Sequence, residues 1–198
     1  MFALPADIDA DLRSITAVRN RYRRLATQSV PLVRHPYTPC EAVSRIDAEV
    51  LRIDEGIELV YRVEGDLATL RVPAPQEPAR ASGLWHHTCL EAFVAGPGAS
   101  YREFNLAPSG AWAAYAFSAY RKGMTPLADD AAPQLGVERR ERELELRATL
   151  SLDLGGSSAR LALAAVIEES SGRLSYWAIA HPPGKPDFHH PLGFALEI

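Results

Sequence analysis

The stretch Ile57-Glu-Leu-Val-Tyr-Arg-Val-Glu-Gly-Asp66 decides the fold class of this chain. Its apolar side chains occupy every second position: Ile57, Leu59, Tyr61 and Val63. Successive side chains of a β-strand point to opposite faces of its sheet, so a period of two predicts a half-buried strand. The glycine near its end predicts a turn into a further strand, LATLRV at residues 67–72.

Similar short runs continue on both sides of this stretch. The alternation begins near Val43, and seven later runs have strand-like composition: residues 88–94, 101–106, 112–120, 144–152, 160–169, 174–180 and 194–198. Segments rich in Gly, Pro and Ser separate them, and no helical pattern follows residue 26. The spacing predicts an all-β domain over residues 32–198, an antiparallel β-sandwich of about ten strands.

Residues 6–26 have a different period. Apolar side chains recur there at steps of three and four, which predicts an amphipathic helix with an arginine-rich C-terminal half. We therefore expect an N-terminal helical extension over residues 1–31. Its arginines either form a solvated face or dock an acidic partner.

Composition narrows the classes of function. The chain has 198 residues and a formal net charge of −4, so no overall basic footprint predicts nucleic-acid binding. No apolar run reaches the roughly 18 residues of a membrane helix, and the first residues do not resemble a signal peptide. Two cysteines cannot make a disulfide framework, so we expect reduced thiols and a cytoplasmic location.

Residues 84–93, LWHHTCLEAF, carry the first candidate site residues. Alternation places Cys89, Glu91 and Phe93 on one face of a strand. A carboxylate in an apolar strand needs a partner, either a ligand hydroxyl or an arginine such as Arg102. Trp85 lies just before this strand, where it is either a stacking surface for a ligand or part of the core.

Residues 101–110, YREFNLAPSG, form the next strand and turn. Tyr101, Glu103 and Asn105 share one face of it. If GPGAS (residues 96–100) closes a hairpin, this polar and aromatic face lies beside Glu91. In the strand that follows, Trp112 and Tyr115 are three residues apart and point to opposite faces.

The stretch HPPGKPDFHHP, residues 181–191, follows Tyr176 and Trp177. Four prolines reduce the entropy that the loop loses on ordering. Its polar groups include His181, Lys185 and Asp187. A preordered loop either lines a pocket with such groups, serves structure alone, or binds a metal with its histidines.

Evidence for catalysis or metal binding is weak in the sequence. No spacing matches HExxH or a Cys/His zinc site, and neither a GxSxG turn nor a phosphate-binding glycine loop is present.

Taken together, the motifs at residues 84–93, 103–110 and 176–189 resemble bacterial DOMON-like proteins, whose fold is similar to that of family-9 carbohydrate-binding modules. The resemblance covers about residues 32–198. It implies a sandwich of two antiparallel sheets with a ligand site on a concave face or at one end. Members of that superfamily bind sugars or haem, the latter through Met and His ligands; Met124 is the only internal methionine here.

The prediction is a non-catalytic domain that binds a small polar ligand, a carbohydrate or cell-wall amino sugar, without a cofactor, metal, nucleic acid or membrane. A homo-oligomer is left open. The expected ligand-binding residues are Trp85, His87, Glu91, Asn105, Trp177, His181, Lys185, Asp187 and His189.

Two other functions compete with this prediction. The alternative is a metal-assisted or acid/base enzyme that uses His87, Glu91, His181 and Asp187. The third is a haem-binding or protein-interaction module.

Overall fold

The computed structural model describes residues 27–155 and 158–198, which form thirteen strands. The strands are β1 (Thr27–Arg34), β2 (Val43–Ile53), β3 (Gly56–Gly65), β4 (Ala79–Arg80), β5 (Cys89–Ala95), β6 (Tyr101–Leu106), β7 (Ala111–Phe117), β8 (Thr125–Pro126), β9 (Gln134–Arg139), β10 (Glu143–Ser151), β11 (Arg160–Glu168), β12 (Leu174–Ala178) and β13 (Leu196–Glu197). Helical structure in these ranges is limited to three-residue 3-10 turns at Leu67–Thr69, Leu84–His86, Asp129–Ala131 and Pro191–Gly193. The all-β prediction is confirmed.

The predicted N-terminal helix at residues 6–26 lies outside the described residues. Strand β1 covers Thr27–Arg34, and the division into an extension over residues 1–31 and a domain over residues 32–198 stays a prediction. None of the helices in the described part of the chain is long and apolar enough to cross a membrane.

The expected strand at residues 57–63 is part of β3, which pairs with β2 and β10. The strand predicted for residues 67–72 does not form. Asp66 caps a 3-10 turn instead, because its carboxylate accepts a hydrogen bond from the backbone N–H of Ala68 at 3.2 Å. The turn buries Leu67, which satisfies its apolar side chain without a strand.

All strands belong to one sheet, whereas the sequence predicted a sandwich of two. The order is β4-β7-β6-β5-β11-β12-β1-β2-β3-β10-β9, with β13 beside β11 and β8 beside β7. Every pairing is antiparallel except β4 with β7. The sheet curls into a half-barrel because β1 pairs with β2 along Thr27–Leu32 and with β12 at Val33 and Arg34. The alternation of apolar and polar side chains predicts the strands, but it does not predict that β1 is shared. By pairing with both β2 and β12, β1 removes the free edge that each of them would otherwise have.

Pro31 lies just before the change of partner in β1. Proline has no N–H to donate, so it is tolerated in a strand only where its nitrogen faces no partner. At Pro31 the β12 side of β1 is unpaired, since that pairing starts at Val33.

The main hydrophobic core fills the space between the two halves of the curled sheet. It includes Leu59 and Tyr61 from β3, and Leu90, Leu163 and Trp177 from β5, β11 and β12. We call the side of the sheet that lines this core its inner face. The Tyr61 hydroxyl crosses the core and donates a hydrogen bond to the backbone oxygen of Glu91 at 2.7 Å.

The opposite side of β7, β6, β5, β11 and β12, the outer face, is also largely buried. A second apolar cluster lies there, built around Phe93, Tyr101, Tyr115 and Phe117. Phe188 and Phe194 from the C-terminal segment pack against it. Both faces of this half are therefore covered, which explains why its strands are rich in Ala, Val and Leu rather than alternating with charged residues.

Replacing Tyr61 with Phe removes the hydrogen bond that joins the two halves across the core. We expect a loss of about 1 kcal/mol in the free energy of unfolding, and a melting temperature lower by about 2–4 °C. Differential scanning calorimetry measures both. Tyr37→Phe is the control, because that side chain is 76% exposed. Equal melting temperatures for the two variants would show that the cross-core bond contributes nothing.

Candidate functional site

A cavity of about 600 Å³ opens on the outer face. Its floor is made by side chains of five neighbouring strands, β7, β6, β5, β11 and β12. Three segments form its walls: the 3-10 turn Leu84–His86, the turn after β7, and the 181–191 loop. The lining residues are Trp85, His86, Glu91, Glu103, Tyr115, Phe117, Arg121, Met124, Val166, Leu174, Tyr176, Pro186, Phe188 and His189.

Strand register brings two carboxyl groups together on this floor. The hairpin β5–β6 forms as predicted, and Glu91 lies opposite Asn105. Glu103 is two residues from Asn105, so it lies on the same face and diagonal to Glu91. The neighbour of Glu91 in β11 is small, since Ala164 pairs with it. The neighbour of Glu103 in β7 is Tyr115. The methyl group of Ala164 leaves space beside the Glu91 carboxyl group.

Glu91 is the most unusual group in the cavity. The residue is 3% exposed, and among the described residues nothing hydrogen-bonds to its Oε1. Burial, and then the neighbouring charge of Glu103, raise the pKa of this carboxyl well above its usual range. Arg102, which the sequence suggested as a partner, does not reach Glu91. Its side chain is exposed and lies on the inner-face side of β6, opposite to the face of Glu91. Glu91 therefore presents an unsatisfied acid group to the cavity.

Glu103 is 5% exposed and better supported. Its Oε1 accepts a hydrogen bond of 2.7 Å from the side-chain amide of Asn105. Burial raises the pKa of Glu103, while that hydrogen bond and the positive charge of Arg121 oppose the rise. The two acids thus differ in environment although they are neighbours.

His189 approaches Glu103 from the loop. The Tyr101 hydroxyl accepts a hydrogen bond from the backbone N–H of Arg121 at 3.2 Å. The same hydroxyl lies 2.8 Å from Nδ1 of His189. Nε2 of the same ring is 4.0 Å from Oε2 of Glu103. Burial, followed by the charge of Arg121, lowers the pKa of His189 to about 4. The imidazole is therefore neutral at pH 7.

Asp187 fixes the same loop from behind the cavity. Its carboxylate accepts hydrogen bonds from the Tyr120 hydroxyl, from the Arg121 guanidinium at 2.8 Å and from the backbone N–H of His189 at 3.2 Å. These contacts lower the pKa of Asp187 against the effect of burial. They also orient Arg121 and His189 toward the cavity.

Aromatic rings make up much of the cavity lining. Trp85 is 36% exposed and meets Tyr115 edge to face, with ring centroids 6.3 Å apart. Across the cavity Tyr176 packs beside Phe188 at 5.9 Å. Trp112 and Tyr115 lie on opposite faces as predicted, since Trp112 belongs to the inner core.

The predicted site residues divide into two groups. Trp85, Glu91 and His189 line the cavity. Asn105 and Asp187 do not line the cavity but hold residues that do. Asn105 hydrogen-bonds to Glu103. Asp187 accepts hydrogen bonds from Arg121 and from the backbone N–H of His189.

The other predicted site residues lie elsewhere. Trp177 is 5% exposed in the inner core and donates from its indole N–H to Ser175 at 3.0 Å. It alternates away from the outer face and cannot serve as a stacking surface for a ligand in this cavity. Lys185 is exposed and does not line the cavity.

His87 and His181 also point away from the cavity. Nδ1 of His87 lies 2.7 Å from Oε2 of Glu168, and the His87 side chain is 68% exposed. His181 bonds to the backbone oxygen of Val33 at 2.8 Å and packs against the His35 ring.

The residues of the alternative enzyme site therefore do not share one centre: His87, Glu91, His181 and Asp187 each have a separate environment. Within residues 27–155 and 158–198, no three His, Cys, Asp or Glu side chains are grouped so as to hold a metal ion.

Sequence reasoning missed several residues of the cavity. Glu103 shares a strand face with Asn105, so the alternation of side chains along this strand was the signal that would have identified it. Tyr115 followed from the same pattern. Arg121 and Met124 lie in a turn without any periodicity, so only tertiary contacts place them in the wall.

Comparison with known proteins informs the fold. No family model matches the chain, and a search of curated proteins finds no match. The DOMON-like relationship therefore stays a prediction. Two structures of a family-9 carbohydrate-binding module from Caldicellulosiruptor kristjanssonii, with cellotriose and with glucose, align with TM-scores of 0.49 and 0.48. Each is 12% identical and covers 84% of this chain, and the alignments span 77% and 78% of the modules.

A stronger match is a Bacteroides uniformis ATCC 8492 protein described as a "putative carbohydrate-binding protein". It aligns with a TM-score of 0.62 and 14% identity, over 93% of this chain and 88% of that one. The chain described here thus shares the fold of that Bacteroides protein.

Proposed function

We propose that this chain binds a small carbohydrate in the outer-face cavity and does not transform it. The observation that carries the proposal is the pairing of a buried, unsatisfied carboxyl group, Glu91, with an exposed indole, Trp85, in one cavity. Sugars have both features that such a site recognises, namely hydroxyl groups and an apolar ring face.

The chemistry of the cavity suits hydroxyl groups. Glu91 and Glu103 accept hydrogen bonds when ionised, and Glu91 also donates one when protonated. Arg121 adds N–H donors at the rim, since its side chain is half exposed. Hydrogen bonds that involve a charged partner are stronger than neutral ones, so these groups can fix the orientation of a polyol.

Size and shape also support a sugar. A volume of about 600 Å³ lies within the ~300–1,000 Å³ of typical small-molecule sites. Trp85 and Tyr115 on one side of the cavity and Tyr176 on the other provide flat apolar surfaces for a ring. The Bacteroides protein with this fold is described in terms of carbohydrate binding, which agrees with the proposal.

Isothermal titration calorimetry with glucose, cellobiose, N-acetylglucosamine and glucosamine tests the function directly. One site per chain is expected for at least one of these sugars. At 100 times its Kd, a sugar should add about 2.7 kcal/mol to the stability and raise the melting temperature by about 5–10 °C. Absence of both heat and thermal shift with all four sugars would count against a carbohydrate ligand.

Trp85→Ala should weaken sugar binding by about tenfold or more, roughly 1.4 kcal/mol, because the ring supplies stacking surface. The variant should still fold, since the indole is partly exposed. Tyr37→Ala is the matched control: it removes an exposed aromatic ring that does not line the cavity. Unchanged titrations for Trp85→Ala, or equal losses for both variants, would move the site away from this wall.

Glu91→Gln should change how stability depends on pH. The folded-state pKa of Glu91 is raised, so the folded chain binds more protons than the unfolded chain above pH 4.5. Its contribution to stability is therefore present below pH 4.5 and is lost as pH rises toward the folded-state pKa. Relative to the variant, the wild type should lose up to about 1.4 kcal/mol of unfolding free energy per pH unit in that range.

Urea denaturation at several pH values measures this difference. Glu141→Gln serves as the control, because Glu141 is exposed and outside the cavity. Parallel curves for the wild type and Glu91→Gln would mean that Glu91 is not desolvated in the folded protein.

A further inference from the structure

We propose, resting on the sugar-binding role above, that the ligand carries a primary ammonium group that lies between Glu91 and Glu103 on the cavity floor. The ligand class is then a sugar with a free amine, as distinct from a neutral or N-acetylated sugar. The ammonium group donates hydrogen bonds to both carboxylates.

The position of the two carboxyl groups is the first support. They come from adjacent strands of one hairpin and share the outer face, diagonal to each other across Asn105 and Phe93. Both residues are more than nine-tenths buried, and both line the cavity. Oε1 of Glu91 has no hydrogen-bond partner among the described residues. A buried carboxylate without a partner is unfavourable unless a bound group compensates for it.

The charges around the cavity are the second support. Arg121 is the only Lys or Arg among the described residues that line the cavity, and its guanidinium already pairs with Asp187 at 2.8 Å. His189 is neutral at pH 7, because its pKa is lowered to about 4. When both are ionised, the two glutamates therefore exceed the positive charge of the lining, and an ammonium group is the complementary charge.

Three features favour an ammonium ion over a bulkier cation. The ammonium ion is compact, and it has three N–H donors for the two carboxylates. Flat rings such as Trp85, Tyr115 and Tyr176 also attract cations when one lies over their faces. N-acetylation removes the charge and adds volume, so it should cancel the preference for the amine.

Binding of an ammonium group should also release a proton. The raised pKa of Glu91 reflects burial and the neighbouring charge of Glu103. A cation held beside Glu91 favours the ionised form, so the proton leaves the carboxyl group for the buffer when the ligand binds.

The experiment compares glucosamine, glucose and N-acetylglucosamine by titration calorimetry of the full chain at pH 6, where a primary amine is charged. Titrations in two buffers of different ionisation enthalpy give the number of protons released. We expect glucosamine to bind at least about tenfold more tightly than the other two sugars, with release of up to one proton.

The variants separate charge from shape. Glu91→Gln keeps the size of the side chain and removes its charge, so the preference for glucosamine should fall to within about threefold and the proton release should vanish. Its melting temperature should not fall below that of the wild type, which excludes unfolding as the cause. Glu141→Gln should retain the full preference.

The outcomes distinguish this proposal from the general one. If all three sugars bind equally and Trp85→Ala weakens them all, the sugar site stands and the ammonium proposal is overturned. Preference for glucosamine that survives in Glu91→Gln also overturns it. If none of the three binds, both proposals fail.

Discussion

Strand β1 hydrogen-bonds to β2 along Thr27–Leu32 and to β12 at Val33 and Arg34, and this change of partner joins two halves into one curled sheet. Without it, β2 and β12 would each present an unpaired edge. The curl encloses the inner core, where Tyr61 reaches across to the backbone of Glu91. The position of the β5 strand, and so of every group on its outer face, depends on that closure.

The outer face is buried by a different means from the inner face. There the C-terminal segment returns over β5, β6 and β7, held by Phe188 and Phe194 and by the contacts of Asp187 with Arg121. The cover is incomplete, because the residue that flanks Glu91 in β11 is Ala164 rather than a large side chain. The cavity is the space that remains, and its polar groups therefore lie on rigid strands while its rim comes from loops.

Burial of Glu91 without a hydrogen-bond partner for its Oε1 in the described part of the chain works against stability, and such local conflicts concentrate at functional sites. Glu103 shows the contrast, because Asn105 satisfies one of its oxygens. The same desolvation that raises the pKa of Glu91 makes any hydrogen bond or cation offered by a ligand more favourable than it would be in water. A ligand that pairs with Glu91 thus relieves the unfavourable free energy of its burial, and this relief strengthens binding. The electrostatics of the cavity are in this way linked to the binding role proposed for it.

Alternation by itself determined which side chains share a strand face, since that depends only on the extended backbone. It placed Glu91 on one face of its strand, put Glu103 beside Asn105, and separated Trp112 from Tyr115. Local pairing through a short turn then brought the two acids together. Only the tertiary structure decided which face became the core, and that choice buried Trp177 and left Trp85 at the cavity. It also brought in Arg121 and His189, which are far apart in sequence and meet because the C-terminal loop folds back over the sheet. A period of two does not predict the curl of the sheet, the sharing of β1 or the folding of the C-terminal loop over the sheet. These features follow from the packing of the whole chain.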